Sequence, residues 1–143
     1  MKDTYFPSQK FITKKWYLID ATNQRLGRIA SEVSKILIGK NKRTFTPFLN
    51  VGDNIIIINA DKIMVTGKKE EQKIYRNHSG KPGGMRMENL FNLRQRKPEK
   101  ILQEAVKGML PKNSLGREIY CNLKVYKNQN HPHQAQNPEL LNF

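Results

Sequence analysis

Gly52-Asp53-Asn54-Ile55-Ile56-Ile57-Ile58-Asn59-Ala60 decides the fold. Four consecutive β-branched residues with no polar alternation describe a strand covered on both faces, because a half-exposed strand alternates apolar and polar positions. Such a strand belongs inside a parallel sheet. Parallel neighbours are joined by crossovers, so a helix and an earlier strand should precede it.

Both are present upstream. Lys15-Trp16-Tyr17-Leu18-Ile19-Asp20 is short, aromatic and β-branched, and the polar Thr22 and Asn23 behind it read as a turn. Leu26, Ile29, Ala30, Val33, Ile36 and Leu37 then recur at helical spacing, with Arg25, Arg28, Glu32 and Lys35 on the other side and Gly39 as a stop. The order strand, helix, strand is the crossover unit of an α/β domain and locates the core. Downstream, Ile63 to Thr66, closed by Gly67, reads as another short strand.

Between Lys68 and Met87 the composition changes. Few apolar residues remain, and Lys68, Lys69, Lys73, Arg76, Lys81 and Arg86 are interspersed with Gly80, Pro82, Gly83 and Gly84, predicting an exposed, extended basic arm over 68–87. Helical spacing returns at Leu90, Phe91 and Leu93, and again at Ile101, Leu102, Ala105, Val106 and Met109. Pro98 suits a first helical turn, and Pro111 should end the second helix. A short helix from about Leu115 and a strand over Leu123–Tyr126 follow. The organisation expected is one α/β domain with its core at 15–127, an N-terminal extension over 1–14 and a polar, proline-containing tail over 128–143. There is no internal repeat.

With 143 residues the chain can bury one core without disulfides or metal. It carries 26 Lys plus Arg against 12 Asp plus Glu, a formal charge of +14, with an excess of +6 up to residue 60 and +8 beyond. A basic surface that continues along the whole chain suits a protein lying against a polyphosphate on several faces, whereas a basic tail would suit a tether. Nothing reaches the roughly 18 apolar residues of a membrane span, and Met1 to Lys10 has no apolar signal core, so a protein kept inside the cell is expected. Cys121 is the single cysteine and excludes an internal disulfide.

Catalytic motifs fail on spacing. Gly67-Lys68-Lys69 lacks the earlier glycine and the hydroxyl of a phosphate-binding loop, and Gly80, Gly83 and Gly84 miss the dinucleotide spacing. His131-Pro132-His133 has only Glu139 as a neighbouring carboxylate, so surface histidines are expected there and no metal site. Cys121 beside Tyr120, in an apolar-periodic stretch, reads as a buried structural thiol. His78 and Ser79 have no acidic orienting partner for hydrolysis. No catalytic residue, cofactor or small-molecule substrate is expected.

Two segments carry the chemistry of nucleic-acid contact. The basic arm mixes its cations with Tyr75 and His78, as suits phosphates and stacked bases. Lys107-Gly108-Met109-Leu110-Pro111-Lys112-Asn113-Ser114-Leu115-Gly116-Arg117 sets three cations around a helix end and a new helix start. Local capping of the helix dipole competes with RNA contact for Lys107 and Lys112. Arg117 is the stronger candidate, because a guanidinium can hold a phosphate through two hydrogen bonds.

These residues resemble one family, the large-subunit ribosomal protein L13 family in its bacterial and organellar form. The resemblance runs from about Lys14 to the C-terminus. It rests on Trp16-Tyr17, Asp20-Ala21-Thr22, Leu26-Gly27-Arg28, Lys40, Thr46-Pro47, Gly52-Asp53, Asn59-Ala60-Asp61-Lys62, Val65-Thr66-Gly67-Lys68, His78-Ser79-Gly80, Pro82-Gly83-Gly84, the stretch Lys107 to Arg117, and Leu123-Lys124-Val125-Tyr126. It implies a three-layer α/β domain with a small, mainly parallel sheet flanked by helices. It further implies direct binding to large-subunit ribosomal RNA, contact with neighbouring ribosomal proteins, a structural role in subunit assembly and translation, and no catalysis. The lead Met1 to Lys14 and the Pro82-Gly83-Gly84 loop look closest to the cyanobacterial and plastid branch, so a ribosome of bacterial cytoplasm or plastid stroma is expected. The RNA contacts expected on this reading are Arg28, Lys40, Lys42, Arg43, Lys68, Arg76, His78, Lys81, Arg86, Lys107, Lys112 and Arg117. A nucleotide- or RNA-modifying enzyme and a basic DNA-organising protein are the competing classes.

Overall fold

The structure is a computed structural model and describes residues 7, 8 and 12–141. The isoleucine run forms β2 (Asn54–Ile58), which pairs in parallel with β1 (Trp16–Asp20) on one side and β5 (Leu123–Val125) on the other. A fourth parallel strand, β6 (Glu139–Leu140), pairs with β1, giving the order β5-β2-β1-β6. An antiparallel hairpin of β3 (Ile74–His78) and β4 (Met85–Asn89) stands apart from this sheet. The helices are α1 (Leu26–Ile38), α2 (Lys69–Gln72), α3 (Leu90–Arg96), α4 (Pro98–Met109) and α5 (Ser114–Tyr120). The α/β domain with a mainly parallel sheet flanked by helices is as expected.

Parity along the strands divides the core into two faces. Ile19, Ile55, Ile57, Leu123 and Val125 join a single apolar cluster with Ile29, Val33 and Leu37 of α1, Leu90 and Leu93 of α3, Ile101, Leu102 and Val106 of α4, and Ile119 of α5. Ile56 and Ile58, which alternate with them, are buried outside that cluster. Full burial of β2 is what its unbroken apolar run demands.

The second face is met by the segment 128–138, part of the stretch 128–143 that its polar composition places outside the core as a tail. Chain direction explains the difference. The steps β1 to β2 and β2 to β5 move one way across the sheet, and the step β5 to β6 moves back past β2 and β1. Right-handed crossovers must then lie on opposite faces for the two directions. The rings agree: His133 stacks on Trp16 at 5.4 Å between centroids, and its Nε2 lies 2.8 Å from the Tyr126 hydroxyl. The two histidines that read as surface residues therefore hold the last crossover on the sheet, with His131 stacked beside His133. Lys15 adds an ion pair to Glu139 that holds the Lys15 ammonium above its ordinary pKa.

Two further expectations need correcting. Ile63–Thr66 is not a strand: a 3-10 turn at Ala60–Lys62 is followed by one isolated bridge between Arg25 and Met64, because Met64 pairs with the loop before α1 and has no strand beside it. The basic arm is exposed and extended as expected; after the short α2 it folds into the β3–β4 hairpin, whose alternation is hidden by its polar residues. Cys121 is exposed, its thiol 3.4 Å from the Arg117 carbonyl oxygen that accepts from it, because α5 turns Ile119 inward and Cys121 outward. Cys121→Ser should therefore leave stability in chemical denaturation within about 0.5 kcal/mol of the parent, as for other exposed positions, and leave RNA titration unchanged. Loss of RNA binding in a folded variant would point instead to a reactive thiol. The extension over 1–14 lies largely outside the described residues.

Candidate nucleic-acid interface

The hairpin and the α4–α5 turn, separate segments in the sequence, meet on one surface. Arg76 and Arg86 of the hairpin line a groove of about 410 Å³ with Tyr75, Arg96, and Lys100 and Lys107 of α4. Glu104 and Lys107 line this groove and also a second one of about 660 Å³, formed by the end of α4, the turn Leu110 to Asn113 and α5, with Lys112, Arg117 and Tyr120. A third, of about 640 Å³, opens between the start of α1, α2 and the end of α4, and brings Arg28 together with Arg25, Lys69 and Lys73 around Met64 and Met109. The C-terminal end of α4 thus sits between cationic walls.

Local structure fixes the turn. Asn113 caps α5, its side-chain oxygen accepting from the Gly116 N–H at 2.7 Å. Gly116 packs so closely that a Cβ there would stand 1.8 Å from the Pro111 carbonyl oxygen, so the sequence around Lys112 and Arg117 has one backbone path. Lys107 lies in the last turn of α4, where its charge also complements the helix dipole. Burial and the Glu104 carboxylate both push the Tyr120 phenol above its ordinary pKa, and they do the same to Tyr75, with Arg94 opposing.

Of the twelve expected contacts, Lys42 is the one engaged in an ion pair among the described residues. Its ammonium donates to Asp53 at 2.5 Å and to the carbonyl oxygens of Thr13 and Val51, which uses all three donors inside the fold. Lys40 and Arg43 are exposed beyond the C-terminal end of α1, with Lys40 roughly 18 Å along the helix axis from Arg28 at its start. Lys68, His78 and Lys81 are exposed too; the His78 Nδ1 accepts from the Gly80 N–H at 2.9 Å and shapes the hairpin tip.

Sequence reasoning misses Arg25, Lys100 and Arg96 as members of these walls, and names Lys69 and Lys73 in the basic arm without counting them among the expected contacts. Lys100, Glu104 and Lys107 recur at helical spacing on α4, a signal that could have found the stripe. Arg96 is partly committed to Glu88, whose carboxyl this hydrogen bond holds below its ordinary pKa. Lys73 sits 5.1 Å over the Tyr75 ring. Among the described residues no group of three or more metal-binding side chains gathers, and no helix is long and apolar enough to cross a membrane.

Fold and surface together define the class, a one-domain basic α/β protein whose cations line open grooves around two half-buried tyrosines. A family model described as Ribosomal protein L13 matches residues 14–132, and the chain belongs to that family. It is 56% identical over 143 residues to a "Large ribosomal subunit protein uL13" of Synechococcus elongatus, covering 100% of this chain and 95% of that one. To the protein of the same name in Crocosphaera subtropica it is 61% identical over 141 residues, 99% of this chain and 93% of the relative. For Acaryochloris marina the identity is 57% over 143 residues, 100% of this chain and 95% of the relative.

Proposed function

We propose that the protein is a structural constituent of the large ribosomal subunit that binds large-subunit ribosomal RNA directly and supports subunit assembly and translation. The observation that carries this is the run of cations Arg76, Arg86, Lys107, Lys112 and Arg117, which make no ion pair among the described residues, along two grooves that share Glu104 and Lys107. On a chain of charge +14, lysines and arginines without a carboxylate partner among the described residues are supplied with counter-charge by phosphates. Arg28, Lys40, Arg43, Lys68, His78 and Lys81 extend the contact to other sides, and folded RNA is selected by its shape. Ile74, Met85 and Met87 are exposed along the hairpin, which suits a neighbouring ribosomal protein. Kinship with cyanobacterial proteins favours a ribosome of bacterial cytoplasm or plastid stroma.

The test is salt dependence on purified large-subunit RNA. With about six phosphates engaged on mixed duplex and loop, log affinity should fall against log salt with a slope of roughly −4 to −5. A slope near zero, or equal preference for duplex DNA at matched salt, would remove this reading. Arg117→Lys keeps the charge and loses the planar fork, so filter binding should show a loss of about 1 kcal/mol or more with an unchanged melting curve. Unchanged affinity would make Arg117 a point charge only.

A further inference from the structure

The groove between α4 and α5 contains a carboxylate that a phosphate clamp does not call for. Glu104 is exposed, lines both adjoining cationic grooves, and has no ion pair or hydrogen bond among the described residues. Lys107 stands one turn further along α4, yet the two do not pair. A free negative charge facing a polyanion weakens binding unless it meets a donor on that polyanion, and RNA offers such donors only on its bases and sugar hydroxyls.

The rest of the groove suits a base. Leu110, Pro111 and the half-buried Tyr120 form an apolar wall, and the volume of about 660 Å³ lies in the range of sites that enclose a small ligand. Lys107, Lys112 and Arg117 stand on the same walls, where the phosphates on either side of an extruded nucleotide would need them. The donor pattern then selects the base. A carboxylate has two acceptor oxygens and no donor. Guanine alone among the four bases has two N–H donors, N1–H and N2–H, side by side on its pairing edge; uracil, adenine and cytosine offer a single donor position there.

We propose that this groove holds one unpaired guanine of the ribosomal RNA, its pairing edge on the Glu104 carboxylate, its face against Tyr120 and its phosphates on Lys107, Lys112 and Arg117. The inference rests on the RNA-binding reading above and names what one part of that surface recognises. It gives the protein a base-specific contact in addition to shape and charge. The raised pKa of the Tyr120 phenol agrees with a ring already shielded and set beside that carboxylate.

Kethoxal reports on this contact because it modifies guanine at N1 and N2, the two atoms that Glu104 would cover. The full-length protein is bound to large-subunit ribosomal RNA at saturating concentration, and modification is read by primer extension for the parent, Glu104→Ala and Tyr120→Leu. The parent should protect a guanine that Glu104→Ala exposes, with a modification rate restored by roughly fivefold or more, and the variant's RNA affinity should fall by about five- to tenfold, the loss of one bidentate base contact, while its salt slope stays that of the parent because the phosphate contacts remain. Tyr120→Leu, checked for an unchanged fold by circular dichroism, should weaken the same protection and no other. Identical protections for the parent and Glu104→Ala, or no protected unpaired guanine, would overturn the proposal while leaving general RNA binding intact. Failure of the parent to bind the RNA at all would remove the functional reading first, and this one with it.

Discussion

Lys42→Ala should lower the melting temperature by roughly 10 °C or more, because it leaves a buried carboxylate without its counter-charge. The Asp53 side chain is 0% exposed and Lys42 is 21% exposed. Once the ammonium is removed, the remaining donor to Asp53 among the described residues is the Lys15 backbone N–H at 2.9 Å. Breaking such a pair by removing one partner costs about 3–5 kcal/mol, whereas the pair as a whole adds much less than that to stability. The double variant Lys42→Met with Asp53→Asn should therefore recover a large part of the loss, a coupling that a double-mutant cycle measures directly. The salt slope of RNA binding for folded Lys42→Ala should match the parent, since all three donors of this lysine point inward. A stable variant with a shallower slope would return Lys42 to the RNA contacts and refute its structural role.

Gly52→Ala should be comparably damaging for a steric reason. A Cβ at position 52 would stand 1.7 Å from the Leu37 carbonyl oxygen and 2.4 Å from its carbonyl carbon. Both are backbone atoms of α1, so no side chain can swing away. The loop ahead of β2 would have to lift from the helix end, pulling Asp53 away from Lys42 and breaking the bond from the Asp53 N–H to the Ile36 carbonyl. A loss at or beyond the upper end of the roughly 1–3 kcal/mol typical of overpacking is expected in chemical denaturation. Gly27→Ala is the matched control. Gly27 lies exposed in the first turn of α1, a Cβ there would meet nothing within 4 Å, and the substitution should raise stability by about 0.5–1 kcal/mol. Equal effects at the two positions would show that close packing at Gly52 is not the cause.

The site is partly legible in the sequence. Cations in the hairpin and in the α4–α5 turn are identifiable from charge and motif, because exposed basic residues on a chain of +14 have few other uses. Lys42 shows the limit of that reasoning. It sits between Lys40 and Arg43, and nothing in the local sequence tells which of three neighbouring cations turns inward to Asp53, eleven residues on. Glu104 and Tyr120 escape notice for the opposite reason, since a lone carboxylate on a helix reads as solvated until the fold sets it between two groups of cations.

The sequence by itself determined the crossover unit, the burial of the isoleucine strand and the positions of α1, α3, α4 and α5, because periodicity of apolar residues reports directly which side of a local element must leave water. Only the tertiary structure decided that the segment 128–138 packs His133 on Trp16 at the second face of the sheet, that Glu139–Leu140 pairs beside β1, and that the hairpin and the α4–α5 turn form one surface. Those are pairings between segments of unlike composition and distant position. The contacts that hold them, His133 stacked on Trp16 and a two-residue strand joined to an open sheet edge, leave no period in the sequence.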